Sequence, residues 1–329
     1  MNSSGKPNDS HCPANQDSGT TFMPAVMIAE MIVGLPINIV ALWIFCFRMK
    51  FWKPHAVFLF NLLLADFLLL VSVPLRIDNH LRGENWVFGH DWCRVNLFML
   101  AVNRSASIGF MTIVALDRYF KVVYPHHWIN QMTFHQAGWL TALIWVLVIV
   151  LRIPLLTINL LYEEGNRTLC RSFTSSEEPP LAIKLNQAAY VAEFVLPWFL
   201  LLFCSVRTAC FLHHRGLDRQ KKVKRAIQAV CVINLVFTIC FLPGIFTGLV
   251  GLCIKKFWPT DCALFNQWTS IFIMSFAFSY LNSTLDPLIY AFSSSMFREA
   301  LKSSFSCLCF KKKNTTPPNP ATAEFSATC

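Results

Sequence analysis

Apolar runs alternate with short polar connections along most of the chain, from residue 22 to residue 292. A helix needs about 20 predominantly apolar residues to cross the hydrocarbon core of a bilayer. The stretches that meet this requirement number seven, at approximately 22–47, 55–77, 92–123, 136–157, 183–212, 224–252 and 264–292. The pattern predicts an all-α membrane protein in which 22–292 forms a seven-transmembrane helix bundle.

The polar segments on either side complete the predicted organisation. Residues 1–21 contain no separate apolar segment with a cleavage site, so we expect an N-terminal tail that is retained. After the last span, residues 293–310 place Phe297 and Leu301 on one face, which predicts a short amphipathic helix against the membrane lipids. Residues 311–329 have the composition of a disordered tail.

Composition excludes two classes of protein. Hydrophobic residues make up 55% of the chain and charged residues 14%, whereas an average soluble domain has roughly 25% charged residues. The formal net charge of +10 suggests nucleic acid as a partner. Nucleic-acid binders cluster their basic residues, however, and here long apolar runs separate them. We therefore expect neither a soluble protein nor a nucleic-acid partner.

The distribution of Lys and Arg predicts the orientation in the membrane. If the N-terminus is outside, 17 of the 28 Lys and Arg lie in cytosolic segments and six in extracellular ones. Cytosolic connections carry the excess of positive charge in membrane proteins. The N-terminus is therefore predicted to be extracellular and the C-terminus cytoplasmic, which makes Asn2, Asn8 and Asn166 candidate N-glycosylation sites.

Several cysteines lie on the predicted outer side, where the environment is oxidising. Cys93 and Cys170 are both on that side and can form a disulfide. Cys262 has two candidate outer partners, Cys12 and Cys253. The sequence leaves both pairings open, because connectivity does not follow from spacing.

The predicted cytosolic side has two features that relate to the membrane surface. Residues 215–225 carry six Lys and Arg, a composition that retains a loop in the cytosol and attracts anionic lipid. Cys307 and Cys309 close the amphipathic helix beside the membrane. They are candidates for palmitoylation, with unmodified thiols as the alternative.

Short motifs occur in order along the spans. They are Leu64-Ala65-Asp66, Asp117-Arg118-Tyr119, Trp145, Pro197, Cys240-Phe241-Leu242-Pro243, and Asn282 followed by Asp286-Pro287-Leu288-Ile289-Tyr290. In this order they resemble the motifs of the rhodopsin-like (class A) G protein-coupled receptors, over about residues 22–310. The resemblance implies a plasma-membrane receptor, not an enzyme, whose partners are a heterotrimeric G protein and arrestin.

The resemblance also assigns roles to individual positions. These are Asp117, Arg118 and Tyr119 for G protein coupling, and Ile108, Pro197, Phe237, Phe241, Pro243, Pro287 and Tyr290 for the activation switch. The prolines each remove a backbone donor and bend a helix, which allows one end to swing. The chain departs from the family pattern at Phe241, where Trp is frequent, at Asp286, where Asn is frequent, and at Ser205, where Tyr is frequent.

Asp66 is an ionisable side chain in the middle of a predicted span, where an unpaired charge is costly. Oxygen atoms from Ser107, Asn282, Ser283 and Asp286 are expected around it. In the family, the matching positions hold an allosteric sodium ion that favours the resting state. A water-filled polar network is the alternative, and no other cofactor is expected.

Arg104 is the most informative cation in a span. It follows Cys93 by 11 residues, which at ~1.5 Å per residue places it about 16 Å below the outer rim, roughly half-way through the hydrocarbon. A guanidinium at that depth requires an anionic partner. The candidates are a ligand or an internal ion pair with Glu193 or Asp66.

A closer resemblance supports the ligand. Trp43-Ile44-Phe45-Cys46-Phe47, Phe98-Met99-Leu100-Ala101 with Asn103-Arg104, Pro125-His126-His127 and Ser279-Tyr280-Leu281-Asn282-Ser283 look like the hydroxycarboxylic acid receptors and the oxoeicosanoid receptor. The resemblance implies that Arg104 anchors the carboxylate of a hydroxycarboxylic acid or oxidised fatty acid. It also implies that the ligand-binding set includes Asn79, Trp86, Ser172, Tyr280 and Arg76, and that an inhibitory G protein lowers cyclic AMP.

Two other functions are alternatives to this prediction. A transporter would show an internal repeat and interrupted helices in corresponding halves, and neither is evident in the sequence. A receptor for a peptide or another lipid is the nearer alternative. A peptide usually requires a wide vestibule, whereas this chain has short outer loops and a deep Arg104.

Overall fold

The computed structural model describes residues 22–49, 52–171, 181–214, 221–258 and 261–313. Its helices are α1 Phe22–Trp43, α2 Pro54–Leu81, α3 Gly89–Val123, α4 Phe134–Arg152, α5 Pro154–Thr157, α6 Leu181–His214, α7 Lys221–Phe257, α8 Cys262–Tyr280, α9 Asn282–Ser293 and α10 Ser295–Lys313. A π-helical turn, Ile44–Arg48, extends α1, and a 3-10 helix, Trp128–Gln131, precedes α4. The strands β1 Leu161–Glu164 and β2 Arg167–Cys170 form an antiparallel hairpin.

Most of the predicted spans are single continuous helices. In the described part of the chain, six helical segments are long and apolar enough to cross a membrane. The seventh predicted span, 264–292, consists of two helices, α8 and α9, which meet at Leu281. Polar residues are frequent at this junction, among them Asn282, Ser283 and Asp286. All three lie in α9, directly after the break.

Local sequence signals set several helix ends. Pro54 opens α2, where its missing N–H costs nothing. Thr133 and Gln136 form a reciprocal capping box at the start of α4. At the start of α8, Asp261 accepts a hydrogen bond from the N–H of Leu264, and Ser294 caps α10 in a similar way.

The helix α3 lies at the centre of the bundle and packs against α2, α4, α6 and α7. Large apolar side chains on the outside of the bundle remain exposed, including Ile32 (69%), Trp139 (78%) and Leu196 (72%). Such a surface is unfavourable in water and suits contact with lipid. The fold therefore agrees with a membrane protein.

A cap closes the end of the bundle where α3 begins, which we call the disulfide end. Cys93 at the start of α3 is disulfide-bonded to Cys170 on β2, so the predicted bridge is present. The backbone N–H of Trp86 donates to the carbonyl oxygen of Thr168 at 2.7 Å. The hairpin is thus fixed to the loop between α2 and α3. Asn166 is exposed at the hairpin turn, and Asn2 and Asn8 lie outside the described residues.

The structure reduces the possible disulfide partners of Cys262. Cys262 is disulfide-bonded, whereas Cys253 is a free thiol. The local pairing of Cys253 with Cys262, one of the two alternatives, is therefore excluded. The other candidate, Cys12, lies outside the described residues.

The helix α10 corresponds to the predicted amphipathic helix, with Phe297 buried against the bundle. It runs to Lys313, three residues beyond the boundary expected at 310. Lys has good helix propensity, which favours the extension. Cys307 and Cys309 lie on this helix, but their side chains are outside the described part, as is the tail from residue 314.

Candidate functional site

Arg104 on α3 is held by uncharged groups of α6. The centre of its guanidinium lies 3.3 Å from the centroid of the Tyr190 ring, a close cation–π contact. Its Nη2 donates to the backbone oxygen of Tyr190 at 3.0 Å. Its Nε is buried and makes no hydrogen bond to any described residue. The residue as a whole is half-buried, and one donor of its guanidinium remains unused.

Glu193, a candidate ion-pair partner of Arg104, pairs with Arg152 instead. Arg152 at the end of α4 is 2% exposed, and its guanidinium donates to Glu193, Asn186 and Ser105. The hydroxyl of Ser105 also donates to Glu193 at 2.7 Å. The carboxylate of Glu193 therefore belongs to Arg152. Within the described chain, Arg104 forms no ion pair with it.

Arg76 on α2 has a different environment. Its Nε donates to Asn96 Oδ1 at 2.7 Å, and its Nη1 donates to the backbone oxygen of Cys170 at 3.0 Å. The guanidinium also lies 5.6 Å from the centroid of the Trp86 ring. These contacts join α2, α3 and the hairpin. They indicate that Arg76 stabilises the cap, because its donors are largely used by the protein itself.

The other residues predicted to surround the ligand are distributed around the same end of the bundle. Asn79 on α2 and Tyr280 on α8 are both buried, and Asn79 Oδ1 has no hydrogen-bond partner among the described residues. Trp86 is buried beneath the hairpin and donates its indole N–H to a backbone oxygen at the start of α3. Ser172 lies outside the described residues.

A second buried polar cluster surrounds Asp66 on α2. The hydroxyl of Tyr290 donates to Asp66 Oδ2 at 2.9 Å, and Asn282 Nδ2 donates to Asp286 Oδ2 at 3.0 Å. Buried oxygen atoms with no partner in the described part of the chain are Asp66 Oδ1, Asp286 Oδ1, Asn282 Oδ1 and Ser107 Oγ. The cluster thus has acceptors in excess of donors.

Ser283 belongs to the same predicted set but is oriented toward α1. Its hydroxyl donates to Glu30 Oε1 at 2.8 Å, and its backbone oxygen accepts from Asn38 at 2.9 Å. The involvement of Glu30 was not predicted from the sequence. No group of three or more His, Cys, Asp or Glu in the described ranges is arranged to hold a metal ion. The Asp66 cluster instead combines two carboxylates with neutral oxygens.

The family of the chain follows from comparison with known proteins. Residues 37–290 match the family model described as 7 transmembrane receptor (rhodopsin family). This chain belongs to that family. The predicted class and the seven-transmembrane fold are therefore confirmed, and the transporter is excluded.

Comparison with individual relatives assigns the receptor to a branch of the family. Hydroxycarboxylic acid receptor 2 of Homo sapiens is 39% identical over 94% of this chain and 84% of its own length. Oxoeicosanoid receptor 1 of Homo sapiens is 39% identical over 87% of this chain and 72% of its own length. Hydroxycarboxylic acid receptor 1 of Homo sapiens is 39% identical over 88% of this chain and 82% of its own length. The chain is a receptor of this branch and not an enzyme.

The predicted coupling motif lies at the far end of α3. Asp117 forms ion pairs with Arg118 at 3.4 Å and with Lys121 at 2.7 Å. Arg118 is half-buried, and its Nε and Nη2 make no hydrogen bond to a described residue. Tyr119 is buried against Phe203 of α6. These two buried donors therefore have no hydrogen-bond acceptor among the described residues, and Nη2 has only the ion pair with Asp117.

The residues of the predicted switch occupy the middle of the receptor. Ile108, Phe237 and Phe241 belong to one buried apolar cluster. The ring of Phe237 lies 5.3 Å from Phe241 and 5.4 Å from Phe194 on α6. The prolines lie inside helices, with Pro197 in α6, Pro243 in α7 and Pro287 in α9.

Sequence reasoning missed the immediate surroundings of Arg104. Tyr190, Ser105 and Asn186 carry no motif, and each is of an ordinary residue type for a membrane helix. One usable signal was present, because Tyr190 and Glu193 are three residues apart and share a helix face. Which cation that face meets depends on how α3, α4 and α6 are rotated.

Proposed function

We propose that this receptor binds an extracellular monocarboxylate whose carboxylate group pairs with Arg104, and that it couples to inhibitory G proteins to lower cyclic AMP. The observation that carries the proposal is the environment of Arg104, which contacts a ring and a carbonyl but no described carboxylate. A permanent charge within the bundle is costly without an anion. The planar guanidinium offers a carboxylate two parallel charge-assisted hydrogen bonds.

The names of the relatives indicate the chemical class of the ligand. They are receptors for hydroxycarboxylic acids and for oxoeicosanoids. Both classes combine one carboxylate with an oxygen-bearing carbon skeleton. We infer that the skeleton of the ligand lies toward Trp86, Ser172 and Tyr280, under the cap that the hairpin forms.

The proposed orientation places the disulfide end outside the cell. Disulfides form and persist in oxidising compartments, and the Cys93–Cys170 bridge ties the first turn of α3 to the hairpin. Arg118 lies near the opposite end of the same helix. The orientation that follows from the Lys and Arg counts therefore also gives the disulfide an oxidising environment, and it places the coupling motif at the cytosolic face of the plasma membrane.

We further propose that the Asp66 cluster holds an allosteric sodium ion. Asp66, Asp286, Asn282 and Ser107 each have a buried oxygen without a partner in the described part, and hard cations prefer oxygen ligands. Ser283 is suited less well, because its hydroxyl is bonded to Glu30. The ion would supply the positive charge that two buried carboxylates lack and would favour the resting arrangement of the helices.

Replacement of Asp66 by Asn tests the sodium proposal. In the unaltered receptor, agonist affinity is expected to be several-fold lower in a sodium buffer than in a choline buffer of the same ionic strength. The Asp66→Asn variant should lose most of this dependence, because one carboxylate is removed from the site. Radioligand or fluorescent-ligand competition in the two salts measures the effect. Equal sodium dependence in both proteins would argue against the site.

The Arg104→Ala variant tests the ligand proposal. Inhibition of cyclic AMP accumulation is measured with lactate, short hydroxy acids, nicotinate-like acids and oxidised polyunsaturated fatty acids. We expect the active acid to lose at least ~100-fold in potency, about 2.7 kcal/mol, at unchanged surface expression. Pertussis toxin should abolish the response of the unaltered receptor.

Two controls sharpen this experiment. Arg104→Lys keeps the charge but loses the planar fork, so it is expected to retain part of the response. Arg82→Ala removes an exposed arginine that pairs with Asp78, and it should leave potency unchanged. An unaltered dose response in Arg104→Ala, or activation by cationic or peptide ligands alone, would contradict the proposal.

A further inference from the structure

The buried Arg152 and the half-buried Glu193 form an ion pair near Arg104, and this pair determines how the charges of the site are shared. We propose that Arg152 is a positioning residue that keeps the Glu193 carboxylate away from Arg104 and so leaves Arg104 available to an anionic ligand. The ligand part of this inference rests on the proposed function. The inference concerns the specificity of the site for anions.

The Glu193 carboxylate lies close to the segment of α3 that carries Arg104. Glu193 follows Tyr190 by three residues on α6, so both side chains share a helix face. Arg104 already contacts that face through the ring and the backbone oxygen of Tyr190. Ser105, the next residue on α3, donates to Glu193 Oε2 at 2.7 Å. An ion pair between Arg104 and Glu193 therefore requires only a change of side-chain conformation.

Arg152 prevents this pairing because its guanidinium is fixed on several sides. Its Nη1 donates to Asn186 and its Nη2 to Glu193 Oε2. Both its Nε and its Nη2 also donate to the hydroxyl of Ser105, at 3.2 Å and 2.9 Å. A buried charge that loses its partner is strongly destabilised. If Arg152 were removed, the Glu193 carboxylate would be left with Arg104, with which it interacts electrostatically.

The sign of the preferred ligand follows from this arrangement. Arg104, Arg152 and Glu193 carry two positive charges and one negative charge, which leaves one positive charge at the site. Because Arg152 takes the carboxylate, the remaining charge is located on the half-buried Arg104 and not on the buried Arg152. Without Arg152, the site would be internally neutral and would have no preference for an anion.

Agonist potency provides the first test. The Arg152→Met variant, in which an uncharged side chain replaces the cation, is expected to require at least ~30-fold more of the active carboxylate, on the scale of a desolvated charge pair. Glu193→Gln alone should not weaken potency by more than about 3-fold, because Arg104 keeps its contacts to Tyr190 and no carboxylate competes for it. The double variant Arg152→Met with Glu193→Gln should recover to within about 3-fold of the unaltered receptor.

Recovery in the double variant separates positioning from a direct ligand contact. A purely structural role of the ion pair would also be reversed by Glu193→Gln, since no unpaired charge then remains, and the unfolding experiment described below distinguishes it. A direct ligand contact by Arg152 predicts that the double variant is as weak as Arg152→Met. That result would overturn the inference. If Arg152→Met does not reach the cell surface, Asn186→Ala is used in its place. This variant removes one hydrogen-bond acceptor of Arg152 while the charges of Arg152 and Glu193 remain. Its smaller loss of potency should likewise be reversed by Glu193→Gln, and a loss that persists in that combination would contradict the inference.

The second test needs no ligand, so it distinguishes failure of this inference from failure of the proposed function. Thermal unfolding of the purified receptor is measured for Arg104→Gln, Glu193→Gln and both together, once with Arg152 and once with Met at that position. We expect additive shifts when Arg152 is present and non-additive shifts when it is absent, because Arg104 and Glu193 then form a pair. The same coupling in both backgrounds would overturn the inference.

Discussion

The arginines near the disulfide end are stabilised in different ways, and the difference decides their roles. Arg152 is buried and paired with a carboxylate. Arg76 is buried and bonded to neutral acceptors of α3 and the hairpin. Arg104 is half-buried and rests on a ring and one carbonyl. Among these, Arg104 is the cation whose charge is uncompensated and accessible.

The Arg76→Met variant tests whether Arg76 stabilises the cap. It is expected to lower the thermal stability of the ligand-free receptor, because Asn96 Oδ1 and the Cys170 carbonyl lose a buried donor. The cost of such unsatisfied groups is about 1–3 kcal/mol, or a few degrees in the unfolding temperature. Thermal unfolding of the purified receptor measures it, with Arg82→Met as the exposed control.

An unchanged unfolding temperature in Arg76→Met, together with a large loss of agonist potency, would instead identify Arg76 as a ligand contact. The resemblance to the hydroxycarboxylic acid and oxoeicosanoid receptors implied that role for Arg76. The structure distinguishes Arg76 from Arg104 through their partners. Partners at sequence separations of 20 and 94 residues cannot be read from a local pattern.

At the scale of elements, α3, α6 and α7 meet at Tyr190. The Tyr190 ring supports Arg104 of α3, and its hydroxyl lies 2.9 Å from the position that a Cβ would occupy at Gly244. Gly244 directly follows Pro243, which lies inside α7. The close approach requires a residue without a side chain at this point. Through Tyr190, the proposed ligand-binding residue Arg104 is thus connected to α7.

The Gly244→Ala variant is therefore expected to alter signalling. The added methyl group lies too close to the Tyr190 hydroxyl, so the ring must shift and Arg104 must lose part of its support. We expect agonist potency to fall at least ~10-fold, about 1.4 kcal/mol. Gly251→Ala on the same helix is the matched control, because a Cβ there meets nothing within 4 Å. Equal potency of the two variants would contradict this role for Tyr190.

The helices themselves were largely predictable. Apolar runs of about 20 residues located α1 to α4, α6 and α7, because the bilayer imposes that length on any span. The break at Leu281 was not predicted, although the polar residues that follow it were noted. Whether polar residues interrupt a helix or merely face its interior depends on the neighbours they find, here Glu30 and Asp66 on other helices.

At the scale of the whole molecule, disulfides hold the ends of distant segments together. Cys93 and Cys170 are 77 residues apart in sequence. Cys262 is also disulfide-bonded, and Cys253 is free. With the local pair excluded, Cys12 remains the predicted partner of Cys262. Such a bond would attach the N-terminal segment to the start of α8.

Substitutions of these cysteines test the second bridge. Cys12→Ser and Cys262→Ser should lower the unfolding temperature by the same amount, and the double variant should show no further loss, because one bond is removed in each case. The usual contribution of a disulfide is about 2–4 kcal/mol. Cys253→Ser is the control and should have no effect. Mass spectrometry of unreduced peptides identifies the pair directly, and a Cys253-containing crosslink would contradict the assignment.

The sequence by itself determined the membrane class, the position of the spans and the depth of Arg104, because these depend on apolar length and on the fixed rise of a helix. It also carried the motifs that relate the receptor to its family. Only the tertiary structure decided that Glu193 pairs with Arg152 and that Arg104 remains uncompensated. Ion pairing depends on how helices are rotated about their axes, and packing of the whole bundle sets that rotation.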